Sequence, residues 1–144
     1  NNNEIVYLNY NNCNMAVEFT VSATFSVSKK LLYDTWLSSS GHGDMTNDQA
    51  EYSDMVGEKF LAYDGYIWGK NIELIPFDKI VQSWRTSDFS DDEEDSRLEI
   101  SFFSEDEYTI LTIFHSKLPP HCMTYKQGWI DNYFEPMTAY FNSL

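Results

Sequence analysis

The chain has 144 residues, 42% of them apolar and 17% aromatic, enough to build one well-filled core and too much for global disorder. Lys and Arg number 9 against 23 Asp and Glu, a formal charge of −14. That charge repels phosphate backbones and anionic lipid, which excludes nucleic-acid and membrane-surface roles. No apolar run approaches the roughly 20 residues that span a bilayer as a helix.

In chain order, Asn1 to Asn14 holds seven Asn and reads as a low-complexity, disordered leader, with one domain over residues 15–144. Val6-Tyr7-Leu8 could pair with an edge strand, but nothing in the leader demands it. From Met15, Val17, Phe19, Val21, Ala23 and Phe25 alternate with Glu18, Thr20, Ser22 and Thr24, the pattern of a half-buried strand. Ser28 is placed as an N-cap, and Leu31, Leu32 and Trp36 form the apolar stripe of a short helix ending near Ser38. Ser38 to Asp48, rich in Ser and Gly, is expected to be loop.

Strand-like runs follow at Gln49–Ser53, Lys59–Tyr63, Tyr66–Ile75, Lys79–Ser87, Arg97–Ser104 and Tyr108–Lys117. Asp64-Gly65, Pro76-Phe77-Asp78 and Glu105-Asp106-Glu107 separate three pairs of them, and such short links imply an antiparallel meander. After Pro119-Pro120, a long helix is expected from Met123. Tyr125, Trp129, Tyr133, Met137, Tyr140 and Leu144 make its stripe, and Pro136 predicts a kink near Asn132. A helix of about 22 residues runs ~33 Å, the span of a strand of 8 to 10 residues. The fold class is therefore α+β, a curved antiparallel sheet wrapped around a long C-terminal helix, plus a short helix after the first strand.

Five stretches carry a family resemblance. Gly57-Glu58-Lys59-Phe60, Tyr63-Asp64-Gly65-Tyr66-Ile67-Trp68-Gly69, Glu73-Leu74-Ile75-Pro76 and Lys79-Ile80-Val81-Gln82-Ser83-Trp84-Arg85 resemble the central strands of the activator of 90-kDa heat-shock protein ATPase family. The ending from Gly128-Trp129 through Tyr133-Phe134-Glu135-Pro136 to Phe141 is similar to that family's terminal helix. The resemblance runs from Met15 to Leu144 and implies the START-like, helix-grip fold. It also implies a co-chaperone that binds the dimeric 90-kDa heat-shock protein and stimulates its ATPase. Eukaryotic activators place a separate chaperone-binding domain before one of this kind. Nothing here matches that leading domain, so the chain is expected to be the second domain alone or a fragment.

The residues themselves leave two uses for the space between sheet and helix. Trp36, Tyr66, Trp68, Trp84, His115, Trp129 and Tyr133 are candidates to line a cavity for an apolar, lipid-like small molecule, or the rings simply fill it. Asp88, Asp91, Asp92, Glu93, Glu94 and Asp95 form an acidic loop, expected to be extended, that would steer the chain toward a basic partner surface. Ile110 and Phe114, on the strand face opposite Leu111, Ile113 and His115, are candidates for the outer part of that partner surface.

Other chemistry is thin. His115 is expected to be a core histidine bonded to backbone, and His42 with Asp44 and Asp48 to be a solvated loop rather than a metal site. Cys122, at a helix start, would have a lowered thiol pKa but lacks catalytic partners, and Cys13 and Cys122 are read as free thiols. There is no phosphate loop, nucleophile elbow or zinc spacing, so no catalytic residue, metal or cofactor is expected and the chain is not read as an enzyme. The expected state is a cytoplasmic monomer.

Overall fold

The computed structural model describes residues 4–10 and 14–144, with side chains from Ala16 onward. Seven strands form one antiparallel sheet in the order β1-β2-β7-β6-β5-β4-β3. They are β1 (Glu4–Tyr10), β2 (Asn14–Phe25), β3 (Lys59–Ala62), β4 (Ile67–Ile75), β5 (Lys79–Thr86), β6 (Ser96–Glu105) and β7 (Tyr108–Leu118). From β3 to β7 each strand pairs with the next, as short turns require, and β7 then pairs with β2.

The Asn-rich segment read as a disordered leader contributes β1 over Glu4–Tyr10, paired with Thr20 to Asn14 of β2. Such pairing uses backbone N–H and C=O groups that an edge strand leaves open, so an Asn-rich composition does not prevent it. Residues 1–3 and 11–13, Cys13 among them, lie outside the described residues. The strand expected at Gln49–Ser53 shrinks to one bridge, Glu51 with Leu61, closed by a reciprocal pair of backbone bonds of 2.9 and 2.8 Å.

Helix α1 (Lys29–Trp36) starts where expected, with the Ser28 hydroxyl accepting from Leu31 N. The loop expected at Ser38–Asp48 is instead a second helix, α2 (Ser39–Thr46). Ser38 caps it by accepting from Gly41 N at 3.1 Å, and Asn47 closes it in the left-handed conformation at φ 60°. Its glycines serve close approach rather than looseness. A Cβ on Gly41 would lie 2.9 Å from Thr35 O of α1, and one on Gly43 would lie 2.9 Å from Asp48 O.

The terminal helix crosses the concave face of the sheet as three joined pieces. They are α3 (Tyr125–Trp129), a π turn (Ile130–Phe134) and α4 (Glu135–Asn142). The disturbance expected near Asn132 is this π turn. Pro136 has no N–H for the carbonyl of Asn132, and the Tyr63 hydroxyl donates to that carbonyl instead. The wider turn buries Tyr133 and Phe134 together, so the buried stripe becomes Trp129, Tyr133, Phe134, Met137 and Phe141, while Leu144 is exposed. Against it pack Phe19, Val21 and Phe25 of β2, Trp84 of β5, and Leu111 and Ile113 of β7. Such ring-rich burial is the main favourable term holding sheet and helix together.

Candidate functional site

Where the start of the terminal helix leaves the sheet, the rings do not close the gap. A cleft of about 370 Å³ remains, lined by Asp48, Tyr63, Tyr66, Ile67, Trp84, Tyr125, Gly128, Trp129, Asn132 and Tyr133. Of the seven cavity candidates, Tyr66, Trp84, Trp129 and Tyr133 line it. Trp36 and His115 lie behind the wall, both essentially buried. Trp68 is on the other side of the sheet, beneath the Arg85 guanidinium at 5.9 Å.

The Trp68 error has a definite cause. In register, Ile67 faces Thr86, Trp68 faces Arg85 and Gly69 faces Trp84, but a bulge between Asn71 and Glu73 shifts the count before Leu74 meets Ile80. One extra residue inverts the alternation, so Leu74 faces the core and Trp68, at the same parity, faces outward. Tyr63 and Tyr125 were missed as cleft residues. Tyr63 occupies the left-handed region at φ 51°, outside any strand alternation. Tyr125 falls on the helix stripe, which gives no sign that the packing stops there.

Behind the cleft, His115 is held on both nitrogens. The Trp129 indole N–H donates to its Nδ1 at 3.0 Å. The Ser96 hydroxyl donates to Trp84 O at 2.7 Å, so its oxygen accepts from His115 Nε2–H at 2.9 Å. The ring is therefore the neutral Nε2–H tautomer, and its partners are side chains rather than the expected backbone. Burial pushes its pKa down to about 3.

His42 is not in a solvated loop; it is fully buried on α2. Its Nδ1–H donates to Trp36 O at 2.9 Å, so Nε2 accepts from the Tyr133 hydroxyl at 2.7 Å. Tyr52 stacks on the imidazole at 3.9 Å and shares a hydrogen bond with Tyr133. Burial carries His42 down to about 3 against the opposing pull of the Trp36 carbonyl. Asp44 and Asp48 are exposed, and no cluster of three or more His, Cys, Asp or Glu suited to a metal occurs among the described residues.

At the cleft mouth, Tyr66 donates to Asp88 Oδ2 at 2.5 Å and meets the Tyr125 hydroxyl at 3.0 Å, while Tyr125 meets Thr86 Oγ1 at 2.6 Å. Burial raises the phenol pKa values here. Tyr63 goes up to about 12, with the Asp48 charge adding to burial. The Cys122 thiol, expected to be lowered, is raised to about 11 by burial and by the charges of Glu93 and Asp88. It sits at the end of a 3₁₀ turn, Pro120–Cys122, where no long helix dipole reaches it.

The acidic loop is folded rather than extended. Arg85 donates to Glu93 O at 2.9 Å, to Asp95 Oδ1 at 2.9 Å and to Ser90 O at 3.1 Å. Glu93 accepts from His121 at 2.9 Å and from Ser90 N at 2.9 Å. Burial would raise the Glu93 pKa, but these hydrogen bonds outweigh it and the net shift is downward. Asp88, Asp91, Asp92, Glu94 and Asp95 remain exposed on the rim. Ile110 and Phe114 are half-buried on the outer sheet face; Phe114 opposes Glu99, and Ile110 opposes Phe103, which is 62% exposed. Phe103 is the outer-face residue that the sequence reading omitted.

This geometry and the sequence now meet. The sequence profile described as "Activator of Hsp90 ATPase homolog 1-like protein" matches residues 26–142, most of the chain. The chain belongs to that family. None of the curated protein sequences compared with it matches. Among solved structures, an HSP90 activator from Plasmodium falciparum aligns with TM-score 0.77 and 22% identity, over 85% of this chain and 94% of that one. CalU16 from Micromonospora echinospora aligns at 0.76 and 13%, over 96% and 84%. The Aha1 dimer from Colwellia psychrerythraea aligns at 0.72 and 12%, over 86% and 96%. At these identities the Hsp90-activator-like family member shares its fold with all three, and the expected helix-grip architecture stands. Among the described residues no helix is long and apolar enough to cross a membrane.

Proposed function

We propose that the chain is a co-chaperone module that binds the dimeric 90-kDa heat-shock protein and raises its ATP turnover, as a cytoplasmic, cofactor-free, non-enzymatic protein. The family match over residues 26–142 carries this reading. The buried histidines support the non-catalytic part, because each has both ring nitrogens engaged and stays neutral. Mechanistically, the module binds the hydrolysis-competent arrangement of the chaperone better than the open one, since only a difference in affinity shifts such an equilibrium. The Arg85-tied acidic loop would steer approach to a basic surface, with Phe114 and, toward the far end of β6 and β7, Ile110 and Phe103 as apolar contacts on the outer sheet face.

Equilibrium binding of the purified chain to the purified chaperone at low and high salt tests the proposal. Binding that weakens with salt, and that weakens further when Asp91→Asn, Asp92→Asn and Glu94→Gln are combined, is the expected result. Absence of binding at low salt refutes it.

One observation favours a second reading. The rings leave about 370 Å³ open where a solid core would leave none, so the cleft could serve as a small-molecule site. Native mass spectrometry of the chain purified from cells, with displacement of a fluorescent fatty acid, distinguishes an occupied or loadable cleft from an idle one.

A further inference from the structure

The hydrogen-bond bookkeeping of the cleft restricts what it can hold. Tyr66 has one hydroxyl proton and gives it to Asp88 Oδ2, so the oxygen of Tyr66 must accept from Tyr125. Tyr125 has then spent its own proton, and the Thr86 hydroxyl must donate to Tyr125. Thr86 Oγ1 in turn accepts from Asp88 N at 3.1 Å. The circuit runs one way and ends on a carboxylate.

The remaining polar groups of the wall, the Trp84 indole N–H apart, behave alike. Tyr63 donates to the Asn132 carbonyl, Tyr133 to His42 Nε2, and the Trp129 N–H to His115 Nδ1. All four phenols and the Trp129 indole have therefore turned their protons into the protein. What they leave toward the cleft is π surface and oxygen lone pairs. Asp48 adds an exposed carboxylate with only the Gln49 N–H on its Oδ1, and no Lys or Arg lines the space. The Asn132 side-chain amide can present its oxygen or its nitrogen.

The rings that line the space pack on one another edge to face and tilted rather than stacking as one slab. Trp84 stands at 79° to Tyr125 and 40° to Trp129, Trp129 at 45° to Tyr133, and Tyr63 at 77° to Tyr133. Aromatic faces within about 6 Å of a cation attract it, and more so when water is excluded. An anion or a pure hydrogen-bond acceptor would find no cation in the lining and, besides the Asn132 amide, only the Trp84 indole N–H as a side-chain donor.

We infer that the cleft is a site for an organic cation, an alkyl- or aryl-ammonium group seated among Tyr63, Tyr66, Trp84, Tyr125 and Trp129 with Asp48 as its counter-charge. This deepens, and rests on, the reading of the cleft as a small-molecule site, and it is independent of chaperone binding.

The test titrates the full chain with benzyltrimethylammonium, with its uncharged carbon counterpart neopentylbenzene, and with benzoate. Binding is followed by tryptophan fluorescence and by the indole N–H signals of Trp84 and Trp129. The ammonium ion should bind about tenfold tighter than the neutral molecule, and benzoate should not bind. Asp48→Asn, an exposed change, should weaken the cation by about threefold while leaving neopentylbenzene unchanged. Neutral binding as tight as cation binding would overturn the cation assignment while keeping the cleft as an apolar site. No binding of any probe to the folded chain would overturn the site itself along with the assignment.

Discussion

Two buried histidines grip the same helix from two different elements, and they do so as opposite tautomers. His115 comes from β7 and accepts from Trp129; His42 comes from α2 and accepts from Tyr133, one turn further along. The second partner decides which nitrogen keeps its proton. For His115 it is the Ser96 oxygen at Nε2, and for His42 the Trp36 carbonyl at Nδ1. Each ring must be neutral to receive its aromatic partner, so burial and hydrogen bonding reinforce one another. The terminal helix is therefore fixed by directional bonds as well as by apolar contact, and the cleft wall is set by those same two side chains.

The largest way to break this symmetry is Trp129→Ala, which removes a core ring and leaves His115 Nδ1 without a donor. It should cost on the order of 3–5 kcal/mol in a denaturant melt. A change below about 1 kcal/mol would mean that the His115 side carries little of the grip.

Acid acts on both sides at once. Both histidines fall from 6.5 to about 3 on folding, so below pH 6.5 the unfolded chain takes up protons that the folded chain refuses. Stability from this source is complete above pH 6.5 and is lost as pH falls toward 3, by up to about 1.4 kcal/mol per pH unit for each histidine. Melts at pH 7 and pH 5 should show the loss. In His115→Gln the pH dependence should be roughly halved, and an unchanged dependence would contradict the pairing.

Tyr133→Phe sharpens the contrast, since it removes the hydroxyl that bonds His42 and Tyr52 and keeps the ring. It should cost about 1–3 kcal/mol, less than the loss of Trp129, because a buried acceptor is left unpaired. Smallest of all, combining Asp91→Asn, Asp92→Asn and Glu94→Gln should move stability by no more than about 0.5 kcal/mol. These exposed groups carry none of the Arg85 contacts. A large shift would mean that the rim holds the loop together.

The same pair of histidines shows what the sequence revealed and what it concealed. His115 was readable because β7 alternates from Tyr108 through His115, before the irregularity at Ser116 and Lys117, which placed it inside with Leu111 and Ile113. His42 was not, because Ser-Ser-Gly-His-Gly has the composition of a loop and its glycines act through contacts with Thr35 and Asp48 that only the folded chain contains. The meander, α1, the terminal helix and its disturbance before Pro136 follow from local pattern, where each residue's neighbours suffice. The cleft depends on where packing ends. Trp68 left it through a bulge four residues away, and Tyr63 joined it through a left-handed backbone that no alternation signals. The acidic loop was legible as acidic, but its fold depended on Arg85, a cation on the neighbouring strand.

Steady-state ATP hydrolysis by the purified dimeric 90-kDa chaperone, measured with increasing amounts of this chain, bears most directly on the function assigned to it. Turnover should rise to a plateau as the chain saturates the dimer, and the added hydrolysis should vanish when the chaperone is left out. Turnover that stays flat, at concentrations where the chain is seen to be folded and in excess, would contradict the assignment.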